Sequence, residues 1–351
     1  MKAIVVGTAD QRTSLPVGTF PISDGHATPT PIHGIHHSVG GAAMAVARVL
    51  AASGDDVALA VPLGEDYAAA VIDTEAYRFD MSTHLCRREL RHTPRSVDLH
   101  DEDGHRHVYL DLAHAHSLPI DMRSLDTDAQ RADVVVITSL DQAPTLPAAL
   151  AVRGLRCAVD LQAFNPFDAL HVPTAHRGTH PADALLATRE TIRGALSAEI
   201  LAFRADAVRA RERQALAALA SRARSRLVIL WCGTDGVLLL ERGSCGWPAE
   251  AVHVPGCPEL DAPHGGDTFL AAFLHRVIAR ELAPEEAARG ALAATARVLR
   301  VDHDLDRTRL ARLLEDERSV RDQGEVPLSP VPAPAGSTLA EGAPRERDGT
   351  A

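Results

Sequence analysis

The 351-residue chain carries 36 Lys+Arg against 47 Asp+Glu, and the net charge of -11 argues against nucleic acid or an anionic membrane as a general partner. Hydrophobic residues make up 46%, enough for one large α/β domain or two smaller ones, while 3% aromatics leaves the core to Ala, Val and Leu. Lys2 is the single lysine, which excludes a P-loop lysine or a Schiff base and leaves a phosphate site to backbone N–H groups, Arg or a metal ion.

In chain order, Ala3–Gly7 reads as a buried first strand ending on glycine. Nothing ahead of it resembles a leader, and no apolar run reaches the ~18 residues that span a membrane, so a cytoplasmic protein is expected. Residues 8–37 are rich in Pro, Gly, Thr and His and read as loop or short edge strands. Gly40-Gly41 opens an Ala-rich helix, 42–52, stopped at Ser53-Gly54. Val57–Val61 is a strand and Asp66–Glu75 a helix. Residues 86–112 then change character: two polar/apolar alternations, 95–100 and 105–110, flank Asp101-Glu-Asp-Gly104 and signal a hairpin with one wet face.

Buried strands follow at 132–138 and 156–161, with a weaker one at 183–187. An amphipathic helix is expected at 206–223, and strands 227–233 and 236–240 pair across Thr234-Asp235. Helices at 267–280, 284–300 and 305–317 close the domain. Strands alternating with helices imply a mostly parallel sheet covered on both faces. From about Arg321 the composition turns to Pro, Gly, Glu, Ser and Ala without periodicity and reads as a disordered tail, 321–351. The five cysteines, an odd number without C-x-x-C spacing, offer neither a disulfide framework nor a zinc site.

The most informative stretch is Asp261-Ala-Pro-His-Gly-Gly-Asp-Thr-Phe269, just ahead of the apolar run 270–274. Helix-opening N–H groups lack intrahelical partners and bind anions, glycines admit phosphate oxygens to the backbone, and Asp267 stands beside them as a proton acceptor. Taken alone, the segment reads equally well as a capped core helix.

Four segments in order resemble the PfkB/ribokinase family of sugar and nucleoside kinases. Ser38–Gly54 with Pro62-Leu-Gly-Glu-Asp66 is similar to the first signature, a Gly-Gly turn into an Ala-rich helix followed by a G-x-D turn. Asp261–Phe269 is similar to the second signature, D-T-x-G-A-G-D-x-F. Leu227–Leu240 resembles the strand–G-x-D-G–strand beside the nucleotide, and Thr93–Ser96 with Asp103–Arg106 resembles the lid.

The resemblance implies a three-layer α/β/α sandwich, a mostly parallel central sheet and a small β lid. It places the kinase domain at 1–320 and the lid roughly at 8–37 and 86–112. It implies ATP and Mg²⁺, a monovalent cation such as K⁺ near Asp261, a sugar, sugar-like or nucleoside substrate, and a homodimer through the lid as one available assembly. Asp267 becomes the base on the substrate hydroxyl, with Gly265 and Gly266 as anion hole and Gly233, Asp235 and Gly236 beside the nucleotide. Asp10, Gly40, Gly41 and Ala45 fall in the substrate region, while His33, His36 and His37 precede the glycine pair without a carboxylate at ligand spacing. Asp160 ends a buried strand, where α/β folds bind ligands.

The pattern departs in three places. Ala45 replaces an Asn that bonds a substrate hydroxyl. His264 replaces the first Gly of G-A-G-D; His tolerates positive φ better than a β-branched residue and is placed to enter the phosphate site. The N-x-x-E motif that orders the Mg²⁺ shell is matched by Thr188-Arg-Glu-Thr191, with Glu190 one residue off register. These departures motivate a competing reading, a degenerate kinase fold that binds a ligand or partner without turnover. A dinucleotide enzyme is disfavoured because no G-x-G-x-x-G follows the first strand.

Overall fold

The computed structural model describes residues 1–17, 34–101, 106–139, 143–161, 195–204, 223–244, 246–248, 251–260, 264–301 and 305–315, with Leu216 and Ala220 besides. The expected strand at 183–187, most of the helix at 206–223 and the tail at 321–351 lie outside these residues.

An eight-stranded sheet forms the centre. Its strands in chain order are β1 (Lys2–Val6), β4 (Asp56–Ala60), β9 (Val134–Ile137), β10 (Cys157–Asp160), β11 (Ile200–Arg204), β12 (Leu227–Trp231), β13 (Val237–Glu241) and β14 (Val252–Val254). Their spatial order is β14-β13-β12-β11-β10-β9-β1-β4. The neighbours from β4 to β12 pair in parallel, while β13 runs antiparallel to both β12 and β14.

The period of two along each strand divides the core. Ala3, Val5, Val134, Val136, Ala158, Ile200, Ala202, Leu227 and Ile229 pack on one face. There they meet α1 (Ala42–Ala52), α2 (Tyr67–Arg78), α5 (Gly265–Leu274), α6 (Pro284–Leu299) and α7 (Arg307–Glu315). Ile4, Val6, Val135, Ile137, Val159, Leu201, Phe203, Val228 and Leu230 face the other way, toward α3 (Met122–Ala129) and α4 (Leu146–Val152). These two layers around a mostly parallel sheet make the α/β/α sandwich expected from the sequence. Among the described residues no helix is long and apolar enough to cross a membrane.

A second sheet, ordered β3-β2-β7-β8, joins β2 (Asp10–Pro16), β3 (His36–Gly40), β7 (Arg95–His100) and β8 (Arg106–Asp111). β7 and β8 form the antiparallel hairpin signalled by their alternation, and β2 pairs with β7 in parallel and with β3 antiparallel. The start of the 86–112 segment behaves differently: β6 (Arg87–Leu90) leaves the hairpin and pairs in parallel with β5 (Pro62–Gly64). One carboxylate ties this region to the core. Asp66 caps α2 through the Ala69 N–H at 3.0 Å and also accepts from the Thr93 N–H and Arg95 Nη2, both at 3.1 Å. Burial works to raise its pKa, but the bonds from Thr93, Ala69 and Arg95 prevail and lower it to about 2.

α5 begins at Gly265 rather than at Asp267, because His264 takes a left-handed conformation (φ 66°) and ends the preceding chain direction there. After Leu274 the helix widens into a π turn, His275–Ala279. Buried Arg276 in that turn bonds the carbonyls of Ala272 and Leu314 and so holds α7.

Candidate active site

The C-terminal ends of two adjacent parallel strands deliver the first charges. β10 ends on Asp160 and β11 on Arg204, and the start of α5 brings Asp267 to both. Arg204 Nη2 donates to Asp267 Oδ1 at 2.8 Å and to Asp160 Oδ2 at 3.0 Å. Both carboxylates are 3% exposed.

From the other side β2 contributes Asp10 and Arg12, which share a strand face at a spacing of two. Arg12 Nη1 lies 2.6 Å from His264 Nε2, and His264 Nδ1 lies 3.3 Å from Asp267 Oδ2. A guanidinium only donates, so Nε2 accepts and the ring proton sits on Nδ1, facing the carboxylate. A single chain thus runs Arg12–His264–Asp267–Arg204–Asp160. Burial works to raise the Asp267 pKa, but the His264 hydrogen bond and the Arg204 charge outweigh it and hold the carboxyl below its ordinary value. Burial likewise works to lower the Arg204 pKa, and the charges of Asp160 and Asp267 raise it instead.

Helix geometry leaves the first N–H groups of α5 without intrahelical acceptors, and among the described residues those of Gly265 and Gly266 make no hydrogen bond. A Cβ on Gly266 would come 2.8 Å from Arg204 Cζ, so the guanidinium lies directly against this glycine. A Cβ on Gly265 would meet Leu260 O, Leu299 Cδ1 and Trp231 Cζ2, each at 3.3 Å.

The other glycine pair is packed just as closely. A Cβ on Gly40 would meet Arg12 Nη2 at 2.6 Å, and one on Gly41, at φ 93°, would meet Thr8 O at 2.3 Å. Gly40 pairs with Asp10 across β2 and β3, and buried Asp10 accepts a short hydrogen bond from Ser96 of β7. The sheet therefore brings Asp10, Gly40 and Gly41 together. Ala45 follows on the first turn of α1, where its N–H bonds Gly41 O and its methyl offers no polar group.

Gly233, Asp235 and Gly236 sit in the turn between β12 and β13. A Cβ on Gly236 (φ 90°) would meet Val254 O at 2.1 Å, and one on Gly256 would meet Gly236 N at 2.6 Å. Backbone-to-backbone packing of these two loops alone requires both glycines. Among the described residues nothing links this turn to Asp267 by a hydrogen bond or ion pair.

Thr188, Glu190, Asp261 and His33 lie outside the described residues, and His36 and His37 sit on the exposed end of β3. Among the described residues no cluster of three or more His, Cys, Asp or Glu is assembled for a metal ion. The sheet position between β10 and β12 is filled by β11, which the sequence reading did not anticipate, and Arg204 was missed with it. The signal that could have found it is the one that flagged Asp160: a short apolar run ending on a charge at a strand C-terminus. A surface cavity of about 350 Å³ lined by Arg156, Glu199, Arg226, Val277 and Leu282 lies at the opposite, N-terminal edge of the same strands.

The pfkB carbohydrate kinase family matches residues 20–304, and the chain belongs to that family. No curated protein matches the sequence. Among solved structures the chain resembles a microbiome-derived acarbose kinase at 21% identity, covering 89% of this chain and 98% of that one, with a TM-score of 0.69. It resembles Arabidopsis thaliana ribokinase, complexed with ribose and ATP, at 19% identity over 89% and 98% of the two chains, with a TM-score of 0.67. A Burkholderia thailandensis nucleoside kinase, in complex with inosine, matches at 16% identity over 89% and 97%, with a TM-score of 0.61. The chain is thus a pfkB-family carbohydrate kinase with a ribokinase-like fold.

Proposed function

We propose that the protein transfers the terminal phosphoryl group of ATP to a hydroxyl of a sugar, sugar-like or nucleoside substrate. Asp267 acts as base, and the N–H groups of Gly265 and Gly266 hold the phosphoryl oxygens. The observation that carries this reading is the Arg12–His264–Asp267 chain. It brings the sheet holding Asp10 and Gly40 within one hydrogen bond of His264, the residue from which α5 starts.

Phosphoryl transfer asks mainly for positioning and charge stabilisation, which suits a site of backbone donors, one carboxylate base and two arginines. The substrate lies against Asp10 and the Gly40-Gly41 turn, and the four-stranded sheet excludes water as a lid. Ala45 removes one amide from the substrate region, which favours an acceptor whose hydroxyls are read by Asp10 and Ser96 instead. Gly233, Asp235 and Gly236 are the candidates beside the nucleotide.

The donor set fits Mg²⁺ brought in on nucleotide phosphates, since that ion commonly keeps several waters and takes only one or two carboxylates. Asp160 is the described carboxylate placed to meet it without displacing the base, and Glu190 and Thr188 are further candidates. The ion neutralises phosphate charge. A K⁺ site remains tied to Asp261. The homodimer draws support from the β7–β8 hairpin, where Val97, Val108, Tyr109 and Leu110 are 40–64% exposed.

The engagement of Asp267 by Arg204 and His264 favours one rival, a binding protein without turnover. A panel of sugars and nucleosides assayed for ADP release, with D267N as control, separates the two. Release above the control supports the kinase. Nucleotide binding with no release above the control overturns it.

A further inference from the structure

We infer that Arg204 gates the base: it covers Asp267 while the phosphoryl site is empty and trades that carboxylate for the phosphoryl oxygens of an incoming nucleotide. The inference rests on Asp267 being the base.

The geometry supports an exchange rather than a fixed ion pair. Only Nη2 bonds the two carboxylates. Nε and Nη1 lie against Gly266, each 3.0 Å from the position of its absent Cβ, and among the described residues they have no partner. Cζ is nearer still, at 2.8 Å, so the guanidinium lays its face on Gly266, beside the place where the start of α5 would hold an anion. A phosphoryl group with two or more charged oxygens matches the guanidinium fork better than one shared carboxylate oxygen does. Asp160 keeps its bond to Nη2 during the exchange and acts as the pivot, so the guanidinium need only tilt.

The consequence falls on Asp267. Among the described residues, Arg204 from β11, Asp160 from β10 and His264 ahead of α5 face it, with Arg12 of β2 behind the imidazole. When Arg204 turns to the phosphoryl oxygens, Asp267 loses the charge of that cationic partner, so its affinity for a proton rises. The acceptor oxygen then forms its bond to phosphorus while the bond from phosphorus to the ADP oxygen breaks. ADP leaves with that electron pair, and the hydroxyl proton goes to Asp267. The base is thereby strengthened only when a donor is in place.

Two measurements on the full chain test this, and neither needs turnover. Calorimetric affinities for ADP and for the imido analogue of ATP are compared in wild type, R204Q and R204K. R204Q is expected to lose about tenfold or more for the analogue and within about twofold for ADP, with partial recovery in R204K. Equal losses on both nucleotides, or none, overturn the gate. The Asp267 carboxyl is also titrated by infrared difference spectroscopy against D267N. The analogue is expected to raise its midpoint in wild type, whereas in R204Q the midpoint is already raised and indifferent to the analogue. An unmoved midpoint in wild type, or an analogue that does not bind, overturns the gate without reference to any variant. A chain that shows both effects but never releases ADP loses the kinase reading alone. One that turns over but shows neither loses the gate alone.

Discussion

The two glycine pairs of this site differ in the state of the arginine laid across each. Arg204 against Gly266 is neutralised by Asp160 and Asp267, at 3.0 and 2.8 Å. Arg12 against Gly40 has a histidine ring at 2.6 Å and, among the described residues, no carboxylate, and its buried Nε has no acceptor there. A paired guanidinium resists displacement and yields only to a better anion, whereas one held by a neutral ring yields readily. The Gly266 end is therefore electrostatically closed and the Gly40 end open, so the two ends respond differently to the same kind of substitution.

The strongest way to break this contrast is D267N, which removes the proposed base and the counter-charge together. Turnover is expected to fall by roughly 10²–10⁴ while nucleotide binding persists, measured as ADP release beside calorimetry. Next comes the pH profile of R204Q. Asp267 is held below its ordinary pKa in wild type, so activity falls only as pH drops through that low value. Without Arg204 the acid limb of the rate profile moves to higher pH; an unshifted limb breaks the contrast.

Adding a methyl to each pair sharpens it. G266A presses on an arginine held by two carboxylates and is expected to cost about 1–3 kcal/mol in denaturant unfolding, whereas G40A presses on the looser Arg12 and costs less. A reversed order would mean that Arg12 is the fixed group. The smallest effect calibrates these energies on a separate carboxylate. Asp66 is lowered from 3.8 to about 2, so its stabilisation is present above about pH 4 and lost as pH falls toward 2. With that side chain 22% exposed, D66N is expected to lose about 2 kcal/mol at pH 7 and to flatten the acid limb of stability.

What could be read from the sequence depended on how local each signal was. The alternation at 95–110 and the Ala-rich run after Gly41 encode their own structure, because periodicity and glycine act within a few residues. The opening of α5 was legible as a helix start for the same reason, and His264 takes a positive φ, which histidine tolerates better than a β-branched residue. Arg204 was not legible, since its meaning comes from two carboxylates 44 and 63 residues away in the chain. The departure of β6 to pair with β5 was equally hidden, because the pairing partner of a four-residue strand is a tertiary choice.

Trp231 gives this arrangement an optical handle. It is the parallel-sheet partner of Arg204, its ring centroid lies 5.1 Å from that of Phe269, and its Cζ2 sits 3.3 Å from where a Gly265 Cβ would be. The chain has two tryptophans, so W247F leaves this indole as the sole long-wavelength fluorophore. Its emission reports directly on what happens at the start of α5, and the protein carries its own dye for stopped-flow work.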